Sequence, residues 1–190
     1  MKPKVGSYRI VFIVGRFAFK FPIIRLRTAI EHAWDLLCEP RFILGGLKAE
    51  WSEYDYESYG SFKHFLLHGP MNNWMEYRFY RDHPDMDFLM PTYFSLFGLA
   101  NIQQAGIEEL VLSHGEIMSI YAQDKVIVRR IHDDGHTFCE SHNFCLTQDG
   151  EPRIIDYAST GSQTFLRDFG YQMTDLMKAG LAALNSPEQG

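Results

Sequence analysis

FCESHNFCLTQDGEPRIIDY, running from Phe138 to Tyr157, is the stretch on which the reading of the whole chain turns. Asp149-Gly150 is a turn pair: Gly reaches positive φ without steric cost, and Asp bonds its own backbone. A short strand, this turn and a second apolar run at Ile154-Ile155 predict a hairpin. Asn143 precedes it and Asp156 follows it, so the two side chains come to the same end. An amide oxygen and a carboxylate converging there suit a hard cation such as magnesium, which prefers oxygen ligands.

With those residues in place, the segment resembles the catalytic loop and metal-binding segment of the protein kinase-like fold. It is similar to the divergent form in bacterial lipopolysaccharide kinases and aminoglycoside phosphotransferases, where the Asp stands in a variant like Ile155-Asp156-Tyr157. In that fold an Asn and a DFG-type Asp hold magnesium on the phosphates of ATP. The resemblance therefore implies Asn143 and Asp156 as magnesium ligands at the centre of a catalytic site, with ATP as the other cofactor. The family pattern His-x-Asp-x-x-x-x-Asn aligns His136 with its structural His and sets Phe138 where the Asp belongs. Phe neither accepts the proton of an attacking hydroxyl nor orients it. The usual base is thus missing, and Glu140, Asp133 and Asp134 are the nearby carboxylates that could replace it. Asp168-Phe169-Gly170 spells the family motif literally, but the same interval counted back falls on Ile155, which holds no metal. Asp168 also lies within a helical pattern, so that string reads as coincidence.

Outward toward the N-terminus, Tyr8 to Val14 and Phe17 to Phe21 read as a hairpin ended by Pro22. Lys20 alternates to the face opposite Phe17, Phe19 and Phe21. The resemblance makes it the strand lysine that grips ATP phosphates; the plain alternative is an edge lysine facing water. Ile24 to Cys38 predicts a helix buried through Leu26, Ile30, Ala33 and Leu37. A second helix is predicted from Leu47 toward Tyr59. Its Gly46-x-x-Ala49-x-x-x-Glu53 is similar to a pattern in some bacterial kinase-like proteins whose Glu pairs with the strand lysine. Glu53 is thus the candidate partner of Lys20, with Glu31 and Glu50 behind it; the plain alternative is a solvated glutamate. On this reading Ile24 to Cys38 is an insertion.

His64 to Asp87, with Gly69, Pro70 and Pro84, reads as a helix end followed by a loop. Its Trp74, Tyr77, Phe79 and Tyr80 pack across the N-terminal lobe or anchor a partner. Phe88 to Gln103 reads as two antiparallel strands around Gly98 with both faces covered. The resemblance places an inter-lobe hinge near Asn101 to Gly106, which makes Asn101 and Gln103 candidates to meet an adenine ring through backbone groups. Ile107 to Tyr121 predicts a helix and Val126 to Ile131 a β-rich run. Thr164 to Leu184 is amphipathic, with Phe165, Phe169, Met173, Leu176, Met177 and Leu181 toward a core.

The 190 residues are 46% apolar and 22% charged, which suits one globular chain with a buried core. A net charge of −6 without a Lys/Arg stripe argues against nucleic-acid binding. Three cysteines without a framework suit a reducing compartment. Ile10 to Val14, bounded by Arg9 and Arg16, is too short for a signal h-region, and no run has the length of a membrane span. A cytoplasmic location is the expectation.

The elements read as an α+β chain, and the resemblance implies a small two-lobed protein kinase-like fold with a reduced C-terminal lobe. It is a single domain over 1–190, with an N-terminal lobe over 1–103 that carries a helical insertion and a C-terminal lobe over 104–190. After Asp156 too little chain follows for a conventional activation segment and peptide-docking helices. Gly6 and Gly15 are isolated, so no glycine run wraps phosphates. The function expected is that of a pseudokinase or weak nucleotide binder acting through a protein partner. The alternative is an active Mg-ATP-dependent kinase of small molecules or lipid sugars. A third reading is a zinc-bound interaction domain, drawn from His136, Cys139, Glu140, His142 and Cys145, although no paired ligand motif is present.

Overall fold

A computed structural model describes residues 3–38, 62–133 and 136–184. The chain is α+β, with two antiparallel sheets and a set of helices. Strand β1 is Lys4–Val5, β2 is Arg9–Val14 and β3 is Phe17–Pro22. Strand β4 is Thr92–Ser95 and β5 is Asn101–Gln104. These form one sheet in the order β1-β2-β3-β5-β4. The expected hairpin of β2 and β3 is present, with Val11 opposite Lys20 and Ile13 opposite Ala18. Strand β3 also pairs with β5, Lys20 opposite Asn101. Being central rather than marginal, β3 buries Lys20 to 5% exposure. The edge-lysine alternative is thereby excluded.

Helix α1, Leu26–Cys38, forms as expected but faces the other way. Leu26 and Ile30 are exposed and Ala29 is fully buried. Small Ala29 lets the helix approach α2 (Phe62–Asp82), where the Arg25 amide bonds the Phe65 carbonyl and His32 meets the Phe65 ring. The predicted helix over Leu47 to Tyr59, including Glu50 and Glu53, lies outside the described residues.

Helix α2 is the largest correction. A continuous helix carries Pro70 in its interior where a helix end and loop are expected from the sequence. Its buried side is polar: His68, Asn72, Asn73 and Glu76, with Phe79 beyond them. A search for apolar periodicity does not register such a stripe. Pro70 costs the helix one amide donor, and packing against the sheet compensates. Asn73 donates to the carbonyls of Lys20 and Gly98, and Asn101 donates to that of Asn73.

Strands β4 and β5 bracket Gly98 as predicted, but their outer side is open. Tyr93, Phe94, Leu96, Phe97 and Leu99 are all exposed. The expected helix from Ile107 begins later, as α3 over His114–Tyr121. Ser113 and Glu116 form a reciprocal capping box that sets its start. Before it, β6 (Glu108–Glu109) pairs with β7 (Phe144–Leu146), which pairs with β8 (Pro152–Ile154). Val126 to Ile131 is helical, not β: it belongs to α4, Lys125–Asp133. The Asp124 carboxylate accepts from the amides of Val126 and Ile127, and Ile127 and Ile131 are buried one turn apart. The cap and that burial outweigh the β-branched composition.

Helix α5, Thr160–Leu184, confirms the amphipathic reading, with Phe165, Leu166, Met173 and Met177 buried. Asp168 is exposed on it, as expected of a coincidental motif. The main core lies between α3, α4, α5 and the β7–β8 hairpin, and includes Ile117, Tyr121, Phe138, Phe144, Ile154 and Tyr157. Among the described residues, no helix is long and apolar enough to cross a membrane.

Candidate functional site

The β7–β8 hairpin performs the convergence read from its sequence. Phe144 pairs with Ile154 and Leu146 with Pro152, and Gly150 supplies the positive φ of 76° in the turn. The Ile155 amide donates to the Asn143 carbonyl at 2.9 Å, closing the open end of the hairpin. Strand β8 is held from the other side by the chain at Phe88 to Met90: the Met90 amide donates to the Ile154 carbonyl and the Ile154 amide to that of Phe88. Asp156 thus leaves a strand that is tethered on both sides.

Asn143 and Asp156 open onto a cavity of about 360 Å³ that Lys20 enters from the opposite wall. One wall is the inner side of the sheet, with Arg9, Val11, Ile13, Ala18, Lys20 and Gln103. The other is formed by His142, Asn143, Cys145, Ile155 and Asp156, with Gln104 to Glu108 joining the two. Arg9, Val11 and Ile13 share a side because strand side chains alternate, and their partners Lys20 and Ala18 follow.

At the floor, four charged side chains form one network. Lys20 Nζ donates to Glu76 Oε1 at 2.7 Å and to the Ile155 carbonyl at 2.8 Å. Arg9 Nη1 donates to Glu76 Oε2 at 2.6 Å, and Nη2 lies 2.5 Å from Asp156 Oδ1. Gln103 Nε2 donates to Thr92 Oγ1 at 3.1 Å and lies 3.4 Å from Glu76 Oε1 and the Ile155 carbonyl. Burial lowers the Lys20 pKa, and the Glu76 charge only partly offsets this while Arg9 adds to it. Partial burial opposes ionisation of Asp156, whose side chain is 45% exposed, yet Arg9 and Lys20 together hold its carboxyl below the usual range. Burial also works against the Arg9 charge, and Asp156 with Glu76 more than compensates. The Cys145 thiol is pushed up to about 12 by burial, against the pull of Lys20 and Arg153.

The carboxylate partner of Lys20 is Glu76 of α2. The expected partner Glu53 and its understudy Glu50 lie outside the described residues, and Glu31 pairs with Arg27 on the surface of α1. Asn101 is buried against α2 rather than in the cavity, whereas Gln103 lines it. His136 opens a 3-10 turn, His136–Cys139, and a second turn, Ser141–Asn143, presents Asn143. Glu140 lies at the surface 3.6 Å from His114 Nδ1 and is absent from the cavity lining. Phe138 is fully buried, packed against Phe144 and Phe165. Asp134 lies outside the described residues. Among those described, no three His, Cys, Asp or Glu side chains are grouped to hold a metal ion.

Sequence reasoning missed Glu76 and Arg9. For Glu76 the usable signal was the polar series His68, Asn72, Glu76 on one side of a helix. For Arg9 it was the alternation that put it level with Val11 and Ile13. Comparison with known proteins adds no assignment: no protein-family model, curated protein or solved structure matches this chain.

Proposed function

We propose that this chain is a divergent member of the protein kinase-like fold that binds a nucleotide weakly and acts through a protein partner rather than by phosphotransfer. The sheet β1–β5 with α2 corresponds to the N-terminal lobe, Gln104 to Glu108 to the hinge, and the remainder to a reduced C-terminal lobe. The observation that carries the reading is the buried Lys20–Glu76 pair facing Asp156 and Asn143 across one cavity. In the fold it resembles, such a lysine grips ATP phosphates and such an Asp and Asn hold magnesium. Val11, Ile13, Ala18 and Ile107 supply an apolar part of the lining suited to a base, beside the backbone of Gln104 to Gly106.

Absence of transfer rests on Phe138, which stands in the sequence where the resemblance calls for the base and is buried in the core away from the cavity lining. Glu140 does not replace it, being directed to His114. ATP in magnesium-containing buffer should raise the melting temperature of the purified protein while ATP itself persists over hours with a range of hydroxyl acceptors. Absence of any thermal shift at millimolar ATP would overturn nucleotide binding. The intact Lys20–Glu76 pair favours a second reading, an active kinase, because phosphoryl transfer depends largely on positioning and electrostatics. ADP formation that vanishes in Asp156→Ala would establish it in place of the first.

A further inference from the structure

The surroundings of Asp156 do not suit the metal-ligand role that the resemblance implies. Its Oδ1 lies 2.5 Å from Arg9 Nη2, a direct ion pair with no room for a bridging water. The same guanidinium binds Glu76 through Nη1, and Glu76 is fully buried, so Arg9 is held at both ends. Its side chain is only 11% exposed and originates on β2, a paired strand of the sheet. A divalent ion at this carboxylate would have to displace a fixed guanidinium or sit against its positive charge. The only other oxygen ligand the resemblance offers is Asn143, a neutral amide. Magnesium is held in such sites by one or two carboxylates with phosphate oxygens and waters, and here the one carboxylate is already engaged by a guanidinium.

A guanidinium carries five N–H donors in a planar fork, more than its two carboxylate partners consume, and it matches phosphate geometry well. Arg9 and Lys20 both line the cavity, so phosphate oxygens entering it meet two fixed cations. Taking the nucleotide reading of this cavity as its basis, we infer that Arg9 is the resident counter-cation of Asp156. The cavity accordingly takes nucleoside triphosphate on Arg9 and Lys20 without a divalent metal ion.

The test is ATP binding by the full chain, measured by thermal shift and calorimetry in EDTA and in magnesium. Equal stabilisation in the two buffers is expected. Arg9→Gln should weaken ATP binding in EDTA at least tenfold and make what remains magnesium-dependent, because Asp156 is then released to a metal. Asp156→Asn should keep ATP binding in EDTA within about threefold, since Arg9 is retained and loses a competing anion. It also decides the matter if Arg9→Gln fails to fold. Stabilisation of the wild-type chain only with magnesium overturns this inference and leaves nucleotide binding standing. So does loss of ATP binding in Asp156→Asn. No stabilisation in either buffer overturns both.

Discussion

Glu76 is the residue on which the cavity floor depends. It is fully buried and answers both Lys20 and Arg9, so neutralising it leaves buried Lys20 without its carboxylate and Arg9 with Asp156 alone. Removing one partner of such a buried pair costs about 3–5 kcal/mol. Glu76→Gln should therefore lower stability by about that amount in urea denaturation, and Lys20→Met combined with it should restore part of the loss. An additive double variant would show that the pair is not coupled. Asp156 sets an acid limit instead. Its folded pKa lies below the ordinary value, so its contribution is complete above about pH 4 and disappears as pH falls through the depressed value. Asp156→Asn should flatten that part of a stability profile between pH 5 and 2, as estimated from the ordinary carboxyl range. Cys145 offers a chemical check on burial. With its thiol pushed up to about 12, it should resist iodoacetamide at pH 7.5, an ordinary thiol-labelling condition, while exposed Cys38 reacts. Peptide mass spectrometry would reveal the order. These consequences trace to residues of unequal legibility: Lys20 stands out in a Phe-rich run and Asp156 after a β-branched one, whereas Glu76 and Arg9 resemble the solvated charges that most Glu and Arg residues are.

Among the elements, α2 determines where the sheet can go. The turn between β4 and β5 rests directly on it: a Cβ added at Gly98 would stand 2.0 Å from the Pro70 carbonyl oxygen, and Gly98 has a φ of 78°. Gly98→Ala combines a left-handed backbone with a backbone clash, and should cost about 1–3 kcal/mol by chemical denaturation. Loss of that turn would also release Asn73 from the Gly98 carbonyl and loosen the wall that carries Gln103. Local signals mark the hairpin β7–β8 and the helix α5 because each buries an apolar stripe, and mark the hairpin β2–β3 only by its two β-rich runs, since the buried positions of β3 are Ala18 and Lys20 while Phe21 is exposed. Helix α2 was missed for the opposite reason, since its buried side bonds to the sheet through amides and a carboxylate. In α4 the sequence Val126-Ile127-Val128 favoured a strand, and the Asp124 cap with the spacing of Ile127 and Ile131 decided for a helix.

At the scale of the whole molecule, Arg9, Lys20 and Gln103 tie the five-stranded sheet to the segment Ile155-Asp156, so a ligand in the cavity touches both parts at once. A ligand that binds only the folded state stabilises it by about 2.7 kcal/mol at a hundredfold excess over its Kd. For a chain of this size that corresponds to on the order of 5–10 °C in melting temperature. ATP at such an excess should produce a shift of that size, and a saturating titration without it would reject the cavity as a nucleotide site. The sequence by itself determined the two local devices, a strand lysine and a hairpin bringing Asn143 and Asp156 to one end. Alternation and turn chemistry act over a few residues and can be read from them. Only the tertiary structure decided that Glu76 completes the lysine and that Arg9 occupies Asp156. Those pairings join residues far apart in the chain, and burial rather than local propensity selects among its many carboxylates and cations.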